Sequence, residues 1–259
     1  QHLTPKFSKR QIKDFMNKYI AYGYGSQISF DEYEITLYDA GHITGSAITL
    51  IEDSVTNRRL VYTGDFKIEP QFIQGSADIV KSNVLVIEST YANQEHPDRE
   101  GIIKNFIADV KATVESGGTA LVPCFAVGRA QEIIAILYKH GLIDYTYIDG
   151  MAKKATEIVL RYPEFTRNAE MLSRAMSATT WVGAHHDRVA ALNGRSIIVT
   201  TAGMLNGGPV LDYITKLNPK SKIMLTGYQV EGTNGRRLID GKPLMIEKVK
   251  RQIKTPFTF

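Results

Sequence analysis

Two regimes of hydrophobic patterning divide the chain near residue 92. In the first, Ile12, Phe15, Met16 and Tyr19 recur at helical spacing behind Ser8 and Gln11, a capping-box pair. That predicts a helix over residues 8–20, ended by Gly23 and Gly25. Short alternating runs follow, QISFDEYEITLYDA, SAITLIED and RLVYTGDF, with Asn57 marking the turn between the last two. Period-two alternation in runs this short predicts a meander of antiparallel strands. NVLVIEST, residues 83–90, is almost continuously apolar until its polar end, the profile of a strand covered on both faces.

Beyond residue 92 the period lengthens. Ile103, Phe106, Ile107, Val110 and Val114 form one helical stripe, stopped by Gly117 and Gly118. The apolar run TALVPCF, the helical GRAQEIIAILYKHG, the strand YTYIDG and the helical MAKKATEIVLRYPEF come next. RSIIVTTAG, the Pro209-led helix PVLDYITKL and the strand KIMLTGYQ complete the alternation. Strands alternating with helices predict a mostly parallel sheet flanked by helices. The polar stretch 166–195 is expected to be an irregular surface excursion, and the closing TPFTF reads as the opening of a strand. The first residue is Gln1 rather than Met, and with that open strand the chain is expected to be a fragment.

Composition narrows the function classes. The 259 residues suffice for one large or two modest domains, and 43% hydrophobic residues for a full core. No apolar run reaches the roughly 18–20 residues of a membrane helix, and no basic-then-apolar leader opens the sequence. A cytoplasmic location is the expectation, with no membrane partner. Cys124 is the one cysteine, so an internal disulfide and multi-cysteine zinc sites are excluded. Net charge of +4 and a pI near 9.0 are compatible with a polyanionic partner without demanding one.

Candidate chemistry collects where strands end. His42 follows ITLYDA inside the glycine-flanked GHITGS, Asp65 follows LVYTG, and Glu88 follows VLVI. Each is a metal-ligand or acid/base type at the C-terminal edge of an apolar run, where functional side chains gather in open α/β folds. One reading is a metal site, since imidazole suits zinc and a carboxylate binds one ion or bridges two. The other is a hydrogen-bonded turn histidine with loop-capping carboxylates. Gly128 and Arg129 open a helix after a buried strand and would grip a phosphate; the alternative is an ordinary helix start with Arg129 paired to an acid. Lys153 and Lys154 place positive charge in the first turn of a helix, against the dipole, which hints at an anionic partner. His185, His186 and Asp187 look like a ligand cluster, but adjacent helical side chains diverge. His2, His96 and His140 read as solvated, and Cys124 as an inert buried thiol.

GHITGS, YTGDF and ESTY, in that order, resemble the later motifs of metallo-β-lactamase-fold nucleases of the β-CASP group. That group includes the endonuclease subunit of the eukaryotic cleavage and polyadenylation specificity factor, its archaeal relatives and RNase J. VPCFAVGRAQE, DGMAKKATE, TTAGMLNGGP and LTGYQVEGTNGR extend the similarity over most of the chain. The resemblance implies an α/β architecture: part of a metallo-β-lactamase αββα sandwich carrying an inserted β-CASP domain with a helix-flanked, mostly parallel sheet. It divides the chain into residues 1–92, the second half of the metallo-β-lactamase domain, 93–254, the β-CASP domain, and 255–259, a return strand. It makes His42 a zinc ligand, Asp65 the carboxylate bridging two zincs, and Glu88 the acid that orients a catalytic histidine. Arg129, Lys153 and Lys154 would contact single-stranded RNA, and a homodimer is compatible with the family.

The departures are as informative. The family's H-x-H-x-D-H cluster and its later histidine motif are not found in these 259 residues, so two zinc ligands are present where a catalytic zinc keeps three. The expectation is a two-zinc ribonuclease, endo- or exonucleolytic, of which this stretch alone would be metal-free and inactive. The rival is a non-catalytic RNA-binding or scaffold relative.

Overall fold

The computed structural model describes residues 6–95 and 98–259. His2 and His96 lie outside the described residues. Helix α1 (Lys9–Met16) opens the fold behind the predicted cap, in which the Ser8 backbone N–H donates to Gln11 Oε1 and Gln11 N–H to Ser8 Oγ. It is shorter than the predicted 8–20 and buries none of its residues; Phe15 and Tyr19 pack on each other at its end. The meander forms as expected: β1 (Gln27–Phe30), β2 (Tyr33–Asp39), β3 (Ala47–Asp53) and β4 (Arg58–Tyr62) pair antiparallel in order. Asn57 takes the left-handed conformation, φ 54°, in the β3–β4 turn. A small core of Ala40, Ile48, Leu50 and Val61, joined by Phe66, Ala77 and Val80, packs against one face.

β5 (Val84–Val86) adds to β4 in parallel and ends this five-stranded sheet. Here the sequence expectation fails. Val84, Leu85, Val86 and Ile87 are 44–52% exposed, not covered on both faces. An apolar run states what a strand is able to bury; burial also requires a covering layer, and among the described residues none lies over this edge.

The second unit runs from α2 (Arg99–Glu115), capped by Asp98, through β6 (Thr119–Pro123), α3 (Arg129–Lys139), β7 (Thr146–Asp149), α4 (Met151–Arg161), α5 (Ala169–Ala178), β8 (Thr180–Trp181), α6 (His185–Ala191), β9 (Ser196–Thr200), α7 (Val210–Ile214), β10 (Lys222–Met224) and α8 (Asn234–Ile239). A hairpin, β11 (Leu244–Ile246) with β12 (Val249–Arg251), precedes β13 (Phe257–Thr258). The sheet order is β13-β10-β6-β9-β7-β8, every pair parallel. Its central strands are buried on both faces, which is why they read as unbroken apolar runs. Ala120 and Val122 join one core with α2–α5, while Leu121 between them joins the other with α7 and α8. Ile197 and Val199 against Ile198 repeat that alternation on β9.

Two further expectations change. Residues 166–195 are not irregular: Leu172, Ala175 and Met176 on α5 are buried at i, i+3 and i+4, a short stripe hidden among Ser173, Arg174 and Ser177. Residues 255–259, expected to return to the first unit, place Phe257 and Thr258 beside Ile223 and Met224 at the edge of the second sheet.

The two units interlock through the loop 71–74. Ile73 is buried in the core of the second unit, and Lys139 of α3 lies over the Phe72 ring at 4.5 Å. Glu132, 2% exposed in the first turn of α3, accepts hydrogen bonds from the backbone N–H groups of Phe72 (2.9 Å) and Ile73 (3.0 Å) and an ion pair from Arg99. Asn168 donates to Phe72 O and Gln74 to Phe165 O, so both ends of the loop are held.

Candidate functional site

Strand direction brings the three strand-end residues to one edge. β2 and β4 each run antiparallel to β3, and β5 runs parallel to β4, so the C-terminal ends of β2, β4 and β5 point the same way. His42, Asp65 and Glu88 follow those three ends. His42 Nε2 lies 3.9 Å from Asp65 Oδ2, and both side chains are open to solvent, 45% and 71% exposed.

Each carrier turn is built for its place. Ala40 N–H donates to Ser46 O and Ser46 N–H to Ile43 O, closing the turn that presents His42. Gly41 takes φ +65°, and a Cβ there would stand 2.5 Å from both Ala77 N and Lys67 O, so only glycine fits. The Thr63 hydroxyl donates to Gly64 O and accepts from Glu88 N–H, which couples the Asp65 turn to the Glu88 segment. Hydrogen bonds from Thr90, side chain and backbone, hold the Glu88 carboxyl below its ordinary pKa, with smaller help from the Phe66 backbone N–H and from His42. Glu88 is thereby kept as a charged acceptor on the same edge as His42.

The second unit meets this edge with the start of α3. A Cβ on Gly128 would lie 2.6 Å from Ile43 Cγ2, so the helix N-terminus abuts the residue next to His42. Arg129 is partly buried there, and burial with the nearby Arg99 guanidinium lowers its pKa. Glu132 is already engaged by Arg99 and the 72–73 backbone. Two guanidiniums therefore lie near one carboxylate, which Arg99 engages, beside a helix N-terminus, a local excess of positive charge. The lysines behave differently. Lys153 Nζ donates inward to Val182 O and lies 3.8 Å from the buried Asp149, while Lys154 pairs with Glu157 at 2.9 Å.

Other sequence candidates resolve into structural roles. Asp187 accepts from Gly183 N–H and Ala184 N–H at the start of α6, and the exposed His186 pairs with it at 2.9 Å. Burial pushes the Cys124 thiol up to about 12, so it stays protonated. Thr233 caps α8, and Gln229 donates to Gly203 O and Gly227 O.

Two buried carboxylates were not legible as candidates in the sequence. One is Glu132; the other is Asp149, 2% exposed, which accepts from Arg188 Nε at 2.7 Å and from Tyr213 OH at 3.0 Å. For Glu132 a signal existed, an acid followed directly by the apolar IIAIL in a helix whose face must be buried. For Asp149 the partners lie 39 and 64 residues away, beyond any local pattern.

Residues 130–238 match the Beta-Casp domain model. The chain is 36% identical over 252 residues to Probable RNase MJ4 of Methanocaldococcus jannaschii, an alignment covering 93% of this chain and 59% of that protein. It is 37% identical over 235 residues to RNase aCSPSF2 of Saccharolobus solfataricus, covering 89% of this chain and 47% of that one. This chain belongs to the β-CASP family. A third relative is Transcription termination factor FttA of M. jannaschii, 33% identical over 257 residues, with 91% of this chain and 40% of that protein covered. The chain thus spans about 40–60% of the length of these curated relatives. The β-CASP match begins at Ala130, directly after Arg129, and ends at Leu238, so His42, Asp65 and Glu88 all precede it.

The donor set fits a zinc site in kind. An imidazole nitrogen and a carboxylate oxygen 3.9 Å apart can face one ion, but zinc takes about four ligands. Among the described residues no group of three or more His, Cys, Asp or Glu is placed to hold a metal ion. His42 and Asp65 alone would supply at most part of a coordination shell.

Proposed function

We propose that this β-CASP chain forms part of a zinc-dependent ribonuclease that cleaves single-stranded RNA, endo- or exonucleolytically. The observation that carries the reading is the convergence of His42, Asp65 and Glu88 on one sheet edge, with the Arg129 end of α3 against it. The similarity to Probable RNase MJ4 and RNase aCSPSF2 supports the substrate class. His42 and Asp65 would hold zinc, which supplies Lewis-acid chemistry for phosphodiester hydrolysis when bound. Glu88, fixed as an anion by Thr90, would orient a neighbouring imidazole. Arg129 and Arg99 would draw the RNA backbone toward the edge by charge, a contribution that weakens as salt rises.

The test is cleavage of a labelled single-stranded RNA by the zinc-loaded protein, beside metal content by mass spectrometry. His42→Ala and Asp65→Ala are each expected to lower turnover by at least the roughly 10–100-fold typical of disturbed metal sites, and to lower bound zinc. Unchanged turnover in both variants would sink the reading. A second reading, an RNA-binding scaffold without catalysis, is favoured by one observation, the two-donor cluster. It predicts RNA binding with no cleavage and no zinc in the parent protein.

A further inference from the structure

Beside the His42 turn lies a cleft of about 310 Å³, at the small end of the roughly 300–1,000 Å³ of ligand sites. Tyr19, Tyr22 and Tyr24, from the segment before β1, line it together with Tyr162 and Phe165, from the end of α4 and the turn after it. Tyr24 is pinned: its hydroxyl donates to Ser46 O at 2.8 Å, and its ring meets Phe165 edge-on, centroids 4.9 Å apart. Tyr19, Tyr22 and Tyr162 are 61%, 44% and 51% exposed. Five aromatic rings around one cleft are far more than turns and caps require.

We propose that this cleft is a nucleobase subsite for single-stranded RNA; the proposal rests on the ribonuclease reading and extends it. Three observations select a base. The rings offer π-faces, on which any base stacks. Thr44 and Gly45 line the cleft and follow His42 by two and three residues, so at most about 11 Å of backbone separates the two, roughly three stacked nucleotides. Charge grades across the cleft. Lys154 and Arg161 flank the cleft residue Ile158 on α4 at i−4 and i+3, whereas Asp39 lies beside the Tyr24 hydroxyl. The Tyr24 side therefore disfavours phosphate and leaves the α4 side to the RNA backbone. Glu157, paired with Lys154, offsets part of the charge on the α4 side.

The experiment uses single-stranded RNA carrying 2-aminopurine, whose fluorescence falls on stacking, with anisotropy of an end label reporting binding. The parent protein is expected to bind and to quench. Tyr22→Ala and Tyr162→Ala should each weaken binding about 5- to 100-fold and remove most of the quenching, while Tyr22→Phe retains both. Ala155→Leu, which fills the cleft from the surface of α4, should mimic the alanine variants without touching a tyrosine. RNA binding with parent-like quenching in all these variants overturns the subsite and leaves the ribonuclease reading standing. No RNA binding by the parent overturns both. Concentration-dependent self-association that shields the tyrosines and excludes RNA assigns the cleft to a second copy and overturns the subsite.

Discussion

Glu132→Ala is expected to destabilise the protein by about 2–5 kcal/mol, chiefly the cost of leaving two backbone donors unsatisfied, since the Arg99 guanidinium is partly solvated. Glu132 is almost fully buried, and its carboxylate serves three donors: the Arg99 guanidinium and the N–H groups of Phe72 and Ile73. Truncation leaves both backbone donors without that acceptor in an interior that water does not reach freely, at roughly 1–3 kcal/mol for each group left unsatisfied. It also loosens the loop that carries a first-unit residue, Ile73, into the core of the second unit. Glu132→Gln keeps an acceptor oxygen and should cost less than Glu132→Ala. Urea unfolding of the three proteins measures the difference. An alanine variant within about 1 kcal/mol of the parent would show that the loop is held by its apolar contacts alone.

Gly41→Ala is expected to be costly where Gly45→Ala is mild, although both glycines occupy the left-handed region in the same turn. Each substitution meets the same kind of backbone penalty, about 1–2 kcal/mol. At Gly45, φ +84°, a Cβ meets open space within 4 Å. At Gly41 it would press on Lys67 O and Ala77 N at 2.5 Å, backbone atoms tied to each other by a hydrogen bond. Overpacking of this kind adds roughly 1–3 kcal/mol. The turn then shifts, and with it His42 relative to Asp65. Gly41→Ala should therefore lose both stability in urea and RNA cleavage, and Gly45→Ala should lose little stability. Equal urea midpoints for the two variants would refute the packing argument.

How much of this was legible beforehand depended on whether the cause was local. The meander, its Asn57 turn and the βα alternation were readable because period and turn chemistry are encoded within a few residues. The His42, Asp65 and Glu88 positions were readable as strand ends, though their approach follows from strand direction. The tyrosine cleft was not readable: Tyr19 looked like one member of a helical stripe, and its partners at 162 and 165 come from the other unit. Exposure of β5 was likewise hidden, because neighbouring layers, rather than the strand's own residues, decide it. In α5 the three buried positions were too few to stand out against the polar residues between them.

β6 is the first strand of the second sheet to be made, yet it lies between β9 and β10. The contacts joining them, Ser196 to Thr119 and Thr119 to Ser221, span 77 and 102 residues. During synthesis this central strand must wait for about 100 further residues before both its neighbours exist. Closing such long loops is slow, and the waiting strand, TALVP, is largely apolar, so until residues 196–224 are made it exposes surface that only its later partners will cover.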